Sequence, residues 1–255
     1  MNNNFMMETK EKKNKFCAVI LAAGKGTRMK SDLPKVLHEI DGKPILQYVL
    51  DTTESAGAEK IIVVIGHQAQ KVSACFPEGR CVFVLQEQQL GTGHAVLQAR
   101  NELAHYDGLT VIICGDVPLL RPHTIKKMID EHLAKDATLT VLTAVVPDPF
   151  GYGRIIKDGQ GAIIKITEQA EAKDSEKVIR EINTGIYCVQ TPFLLEALEK
   201  IENNNSKKEY YLTDIVAIAR SQNFKVQACL TDNYKEVMGI NTPEELASAA
   251  RYLKN

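Results

Sequence analysis

The chain lacks most of the features that assign a protein quickly to a class. No stretch approaches the roughly 18 consecutive apolar residues of a membrane-spanning helix. Residues 1–15 are charged and contain no apolar run of signal-peptide length, so they read as a disordered leader. None of the six cysteines (Cys17, Cys75, Cys81, Cys114, Cys188 and Cys229) forms a CxxC pair, and most sit in apolar strand-like runs. They read as free thiols in a reducing cytoplasm. Charge of one sign is missing too: the net charge is −1, which excludes a broad nucleic-acid or anionic-membrane surface. Neither a catalytic triad nor an HExxH element is present. Two common phosphate loops are absent as well. The GKGT at residues 24–27 lacks Walker A spacing, and the third glycine of a GxGxxG fingerprint is replaced by Met29.

What is there is ordinary in bulk and informative in detail. Of 255 residues, 44% are hydrophobic and 25% charged, enough for one large α/β domain without disulfide or metal staples. Apolar runs of strand length at residues 16–20, 61–65, 81–85 and 110–114 alternate with helix-like segments at 44–57, 66–76 and 93–106. Pro44 suits a helix start and Gly57 a helix stop. The alternation predicts a mostly parallel sheet flanked by helices on both sides, with ligands beyond the carboxyl ends of the strands. The second half is richer in strands: 138–146, 153–157, 162–168, 182–189, 224–230 and 236–240. Asp158-Gly159 reads as a hairpin turn. Helices are expected after Pro192, after Leu212 and from Pro243 to the C-terminus.

The segment at residues 21–35, LAAGKGTRMKSDLPK, follows the first strand directly. Ala22, Ala23 and Gly24 let another molecule lie against the backbone, and Gly24 and Gly26 can take positive φ and expose N–H groups to an anion. Lys25, Arg28, Lys30 and Lys35 make the loop cationic, a place to hold polyphosphate. A second loop, QEQQLGTGHA at residues 86–95, follows the strand at 81–85. Gln86 offers a donor and an acceptor to a base edge, while Thr92 reads equally as a cap for a helix from Gly93. His94 reads as a packing or capping residue. Asp116 follows the strand at 110–114 and is the candidate Mg²⁺ ligand, since Mg²⁺ binds through one or two carboxylates plus substrate phosphates. Helix capping before Pro118 is its alternative role. In the second half, Glu168 and Asn183 can hydrogen-bond sugar hydroxyls, with Gly153, Tyr211 and Thr213 nearby in sequence motifs. Asn241 follows the strand-like 236–240 as a second oxygen donor.

The motifs LAAGKGTRMKSDLPKVL, QLGTGHA, GDVPLL, GYGRI, EINTGI, EYYLTDI and VMGIN occur in this order. Together they resemble the sugar-1-phosphate nucleotidylyltransferases, and within them the N-acetylglucosamine-1-phosphate uridylyltransferases, over about residues 16–241. The resemblance implies a Rossmann-like nucleotidyltransferase fold with a small β-rich sugar-binding part, a nucleotide half over about 16–137 and a sugar half over about 138–241. It implies that Leu21, Ala22, Ala23 and Gly24, with Gln86, Gly91 and Thr92 at the base, bind the nucleotide. Arg28 and Lys35 would be catalytic, Asp116 and Asn241 would hold Mg²⁺, and Gly153, Glu168, Asn183, Tyr211 and Thr213 would line the sugar pocket. The implied substrates are UTP and N-acetylglucosamine-1-phosphate. Glucose-1-phosphate, N-acetylgalactosamine-1-phosphate and a non-catalytic sugar-nucleotide-binding module are the alternatives. The hexapeptide repeats that follow this domain in the bifunctional enzymes are absent from the 255 residues. No acetyltransferase activity is therefore expected, and a monomer or weak dimer is.

Overall fold

The computed structural model describes residues 15–254; the leader expected over residues 1–15 lies outside them except for Lys15. Strand β1 (Phe16–Ala22) is apolar at every position because both its faces are covered. Phe16, Ala18, Ile20 and Ala22 enter one core, and Cys17 and Val19 the other, as the twofold alternation of a strand requires. A small antiparallel pair follows, β2 (Glu39–Ile40) with β3 (Lys43–Pro44). Then come α1 (Ile45–Ala56), β4 (Ala58–Ile65), α2 (Ala69–Ser73), β5 (Val82–Leu85), α3 (Thr92–Leu97), α4 (Arg100–Leu103) and β6 (Leu109–Cys114). The chain continues through α5 (Pro122–Ala134), β7 (Leu139–Val145), β8 (Arg154–Lys157), β9 (Ile163–Thr167) and α6 (Asp174–Lys177). It ends with β10 (Glu181–Gln190), α7 (Thr191–Leu198), α8 (Asp214–Ser221), β11 (Val226–Leu230) and α9 (Pro243–Leu253).

The main sheet runs β11-β7-β10-β6-β1-β4-β5, with the β8–β9 hairpin attached to β10. The pairs β1–β4, β1–β6, β4–β5 and β7–β11 are parallel, while β10 is antiparallel to its neighbours. This is the mixed, mostly parallel sheet expected. Helices α1 and α5 pack together against one face, and α3, α7 and α8 against the other. From β1 the chain moves outward to β4 and β5, then returns to the far side of β1 as β6. The strand order therefore reverses between β1 and β6, and their carboxyl ends open a crevice there.

Four local expectations are corrected. The helix expected over 93–106 is broken, because Gln98 N and Ala99 N bond three residues back, to Ala95 O and Val96 O, and the tightened turn separates α3 from α4. The helix expected over 66–76 is only the short α2. Asp158-Gly159 is not a two-residue hairpin turn. The loop spans residues 158–162, with Asp158 Oδ1 accepting from Gln160 N and Ala162 N, and the positive φ falls on Gly161. Residues 236–240 join no strand. A 3₁₀ turn covers Tyr234–Val237, and the segment then crosses the end of the sheet, tied by Ile240 N to Asp116 O at 2.9 Å.

Candidate active site

The crevice at the end of β1 and β6 is a cavity of about 280 Å³. Leu21, Ala22, Ala23 and Gly24 form one wall, Gln86, Gly91 and Thr92 another, and Lys35, Cys114 and Asp116 line it too. The whole expected nucleotide set thus meets in one place. Gly24 has open space where a Cβ would be, as expected for a surface left to a ligand, but its φ is not positive. That conformation belongs to Gly26 (φ 61°), where a Cβ would lie 2.6 Å from Lys35 Cβ. The loop folds back across Lys35 at this glycine, and a single 3₁₀ turn over Thr27–Met29 carries Arg28.

Lys35 stands at the centre of the charged groups. Its ammonium contacts Asp116 Oδ2 and donates to Asn241 Oδ1 at 3.1 Å. Arg28 Nη2 donates to the same Asn241 oxygen at 2.9 Å. Asp116 and Asn241 are 125 positions apart in the chain yet share one cation. Asp116 is not a helix cap, because α5 begins six residues later with Arg121 at its N-cap. Among the described residues no three His, Cys, Asp or Glu side chains cluster as a self-sufficient metal site. The pair nevertheless fits Mg²⁺: both donors are hard oxygens, a cationic group already lies against both, and Mg²⁺ takes its remaining ligands from phosphate and water. Next to Asp116, the Cys114 thiol is pushed up to about 12 by burial, with the Asp116 charge adding to the shift. It is no thiolate nucleophile.

The second loop is built against the EYYLTD segment. At Gly91 φ is 112°, and a Cβ there would lie 2.6 Å from Tyr210 O, so this position takes glycine. Gly93 N donates to Tyr210 O at 2.8 Å. Thr92 does not cap a helix from Gly93. It is the first residue of α3, and its Oγ1 accepts from Leu212 N at 3.0 Å. Gln86 is 3% exposed and held by Gly91 O and His94. Gln89 and Glu209 also line the cavity. Neither was singled out from sequence, since only the docking of residues 209–212 onto the glycine loop brings Glu209 there.

The expected sugar residues form a separate cluster that does not line this cavity. Thr213 Oγ1 donates to Glu168 Oε1 at 3.2 Å, and Asn183 N donates to Gly153 O at 2.8 Å. The Gly153 Cα region faces both Asn183 and Glu168, whose nearest atoms would stand 3.5 and 3.6 Å from a Cβ there. A register shift in β10 just after Asn183 bends the strand locally, and Asn183 Oδ1 accepts from Gly185 N at 3.1 Å. Burial raises the Glu168 carboxyl above its ordinary value, partly offset by the Thr213 bond. Asp214 is pushed up to about 6, by burial first and by the Glu168 charge second. The Tyr211 hydroxyl is buried and has no partner among the described residues, a polar atom left for something else to satisfy.

A glycine-bearing loop thus lies at the switch point of a mixed sheet, beside basic side chains and a carboxylate–carboxamide pair. The sequence matches the MobA-like NTP transferase domain over residues 18–183, and the chain belongs to that family. It is similar to the bifunctional protein GlmU of Desulfotalea psychrophila, at 47% identity over 244 residues, covering 96% of this chain and 72% of that protein. GlmU of Geotalea uraniireducens is 47% identical, covering 94% of this chain and 53% of its own length. GlmU of Listeria monocytogenes is 45% identical, with 93% and 52% covered. The chain thus spans about half the length of most of these relatives. Among solved structures, a UDP-glucose pyrophosphorylase complexed with UDP-glucose superposes with a TM-score of 0.75 at 20% identity, covering 94% of this chain and 99% of that one. That likeness speaks for the fold. Among the described residues no helix is long and apolar enough to cross a membrane.

Proposed function

We propose that this chain transfers UMP from UTP to N-acetylglucosamine-1-phosphate, yielding UDP-N-acetylglucosamine and pyrophosphate, with Mg²⁺ as cofactor. The observation that carries this reading is the convergence of Arg28, Lys35, Asp116 and Asn241 at the mouth of the crevice lined by Leu21–Gly24 and Gln86. Kinship with GlmU across nearly the whole chain supports the choice of substrates. In this reading the nucleotide half covers about residues 16–137 and the sugar half about 138–241. The reaction belongs in the cytoplasm, where all six cysteines stay free.

A phosphate oxygen of the sugar phosphate attacks the α-phosphorus of UTP, forming a new P–O bond. The bond from the α-phosphorus to the bridging oxygen breaks, and its electrons leave with pyrophosphate. The attacking oxygen is already anionic at neutral pH, so no general base is needed. What the site must supply is alignment and charge neutralisation. Small residues at 22–24 let the nucleoside approach the backbone. Lys35 and Arg28, both within reach of one carboxamide oxygen, turn to the phosphates when substrate arrives. Asp116 and Asn241 would hold Mg²⁺, which when bound neutralises charge on the phosphate oxygens. Glu168, Asn183 and Thr213 would orient the sugar hydroxyls, and the unpartnered Tyr211 hydroxyl is a further donor for that pocket.

The test is to incubate the protein with UTP and a panel of sugar-1-phosphates and to identify the UDP-sugar by mass. N-Acetylglucosamine-1-phosphate should exceed glucose-1-phosphate and N-acetylgalactosamine-1-phosphate by a large factor in kcat/KM. Equal use of all three would remove the assigned sugar, and no turnover with any would remove the reaction.

A further inference from the structure

Lys35 holds both oxygen donors that the reading above gives to Mg²⁺. Its ammonium contacts Asp116 Oδ2 and donates to Asn241 Oδ1 at 3.1 Å, and Arg28 Nη2 donates to that second oxygen at 2.9 Å. A carboxamide oxygen has two lone pairs, so Asn241 Oδ1 has both in use. Turning the amide over would not free it. Asn241 Nδ2 donates to Gly239 O at 3.2 Å, and a backbone carbonyl only accepts. The backbone here is pinned as well: Asn241 N donates to Glu245 Oε2 at 2.6 Å, and Ile240 N to Asp116 O at 2.9 Å. Gly239 covers one side of the Asp116 carboxyl group, whose atoms would lie 3.2 and 3.3 Å from a Cβ there. The Lys35 side chain is 16% exposed and that of Asp116 18%, so solvent ions screen the pair little.

We propose that Lys35 is a lock on the metal site: in the free protein its ammonium competes with Mg²⁺ for Asp116 and Asn241, and the nucleotide phosphates release the lock by drawing the ammonium to themselves. This rests on the Mg²⁺ reading given above. A cation held by both donors must take an Asn241 lone pair already in use and lie beside the ammonium on Asp116, a like-charge contact. Lys35 reaches both donors, whereas Arg28 bonds to Asn241. The donors are pinned, while the ammonium rides on a flexible four-carbon stem. The lysine is therefore the part that moves. A triphosphate offers it several anionic oxygens in exchange for one carboxylate. Lys35 thus opposes the metal alone and favours the metal that arrives with nucleotide, and by linkage metal and nucleotide each strengthen the binding of the other.

The experiment follows Mn²⁺ binding by electron paramagnetic resonance, first with Mn²⁺ alone and then with its complex with α,β-methylene-UTP, which cannot transfer UMP. Lys35→Met keeps the aliphatic stem that packs against Gly26 and removes the ammonium. It should bind Mn²⁺ alone at least about fivefold more tightly than the wild type, and the Mn²⁺–nucleotide complex at least about fivefold more weakly. A role in folding alone would move both affinities in one direction. Lys25 is exposed and bonds to neither donor. Lys25→Met removes the same charge and should leave Mn²⁺ binding within about twofold of the wild type. Should Lys35→Met fail to fold, Lys35→Gln takes its place. Unchanged or weaker binding of Mn²⁺ alone by the Lys35 variant overturns the proposal, as does an equal gain in Lys25→Met, or two affinities that shift together. Asp116→Ala added to Lys35→Met should abolish the gain. A gain that persists without that carboxylate overturns the Mg²⁺ reading itself, and the lock with it.

Discussion

Lys35 joins two oxygen donors 125 positions apart in the sequence, Asp116 and Asn241, and its removal leaves a carboxylate without its cation. Lys35→Ala should therefore cut turnover by about 10²–10³, as loss of one preorganised charge donor does, and Arg28→Ala by a similar factor. Asp116→Ala should cost more, because it removes the proposed metal ligand and the partner of Lys35 together. Initial rates in saturating UTP and Mg²⁺ check all three, and a near-normal rate for Asp116→Ala would contradict the metal assignment. Gly91 carries a structural prediction instead. With φ at 112° and Tyr210 O 2.6 Å from any Cβ, Gly91→Ala should lose about 1–3 kcal/mol of stability in denaturant unfolding. At this scale the convergence of the candidate residues was most readable where they are contiguous in sequence. Leu21 to Gly24, Arg28 and Lys35 fall within one stretch at and after the end of β1, and its small and basic residues carry the expectation directly. His94 was not readable, since its ring could as well have packed or capped. Only the folded loop shows its ring between the carboxamides of Gln86 and Gln98, at 3.0 and 3.3 Å.

At the scale of elements, the N-terminus of α8 and the β8 strand brace the second cluster. Asp214 opens α8, and burial followed by the Glu168 charge pushes it up to about 6 from an ordinary 3.8. The folded protein therefore binds this proton more tightly than the unfolded chain does. Its contribution to stability is fullest in acid and is lost as pH rises from about 4 to about 6. In Asp214→Asn that loss should vanish, so unfolding midpoints of variant and wild type should diverge across this window in favour of the variant; a constant gap would contradict the assignment. Arg154, 2% exposed, bonds to amide oxygens rather than to a carboxylate among the described residues. It donates to Tyr152 O and, at 2.8 Å, to Gln169 Oε1, which also accepts from Gly151 N. Arg154→Met should cost about 1–3 kcal/mol from the acceptors it strands, and thermal unfolding together with a raised KM for the sugar phosphate reads that out. The strands were legible because their apolar runs are short, β-branched and bounded. Residues 236–240 looked the same but join no strand among the described residues, because the segment packs Gly239 against the Asp116 carboxylate and ties Ile240 N to Asp116 O, a tertiary demand that no local pattern records. Asp158-Gly159 misled for a different reason: the Asp158 carboxylate accepts from two later N–H groups and so opens the turn into a longer loop.

At the scale of the whole molecule, the sheet decides where chemistry can occur. Reversal of strand order between β1 and β6 leaves one crevice at their carboxyl ends, and the cationic loop, the base-side loop and Asp116 all emerge there. The alternating pattern of the first half made this architecture legible, whereas Asn241 could be read only as an oxygen donor after an expected strand that the structure does not form. In the proposed reaction Asp116 and Asn241 hold Mg²⁺ for uridylyl transfer. That assignment is tested most directly by pyrophosphate release from UTP and N-acetylglucosamine-1-phosphate, with and without Mg²⁺, in the wild type and in Asp116→Ala and Asn241→Ala. Release should require both substrates and Mg²⁺ and should fall steeply in both variants. Release that continues without Mg²⁺, or that survives loss of either side chain, would contradict it.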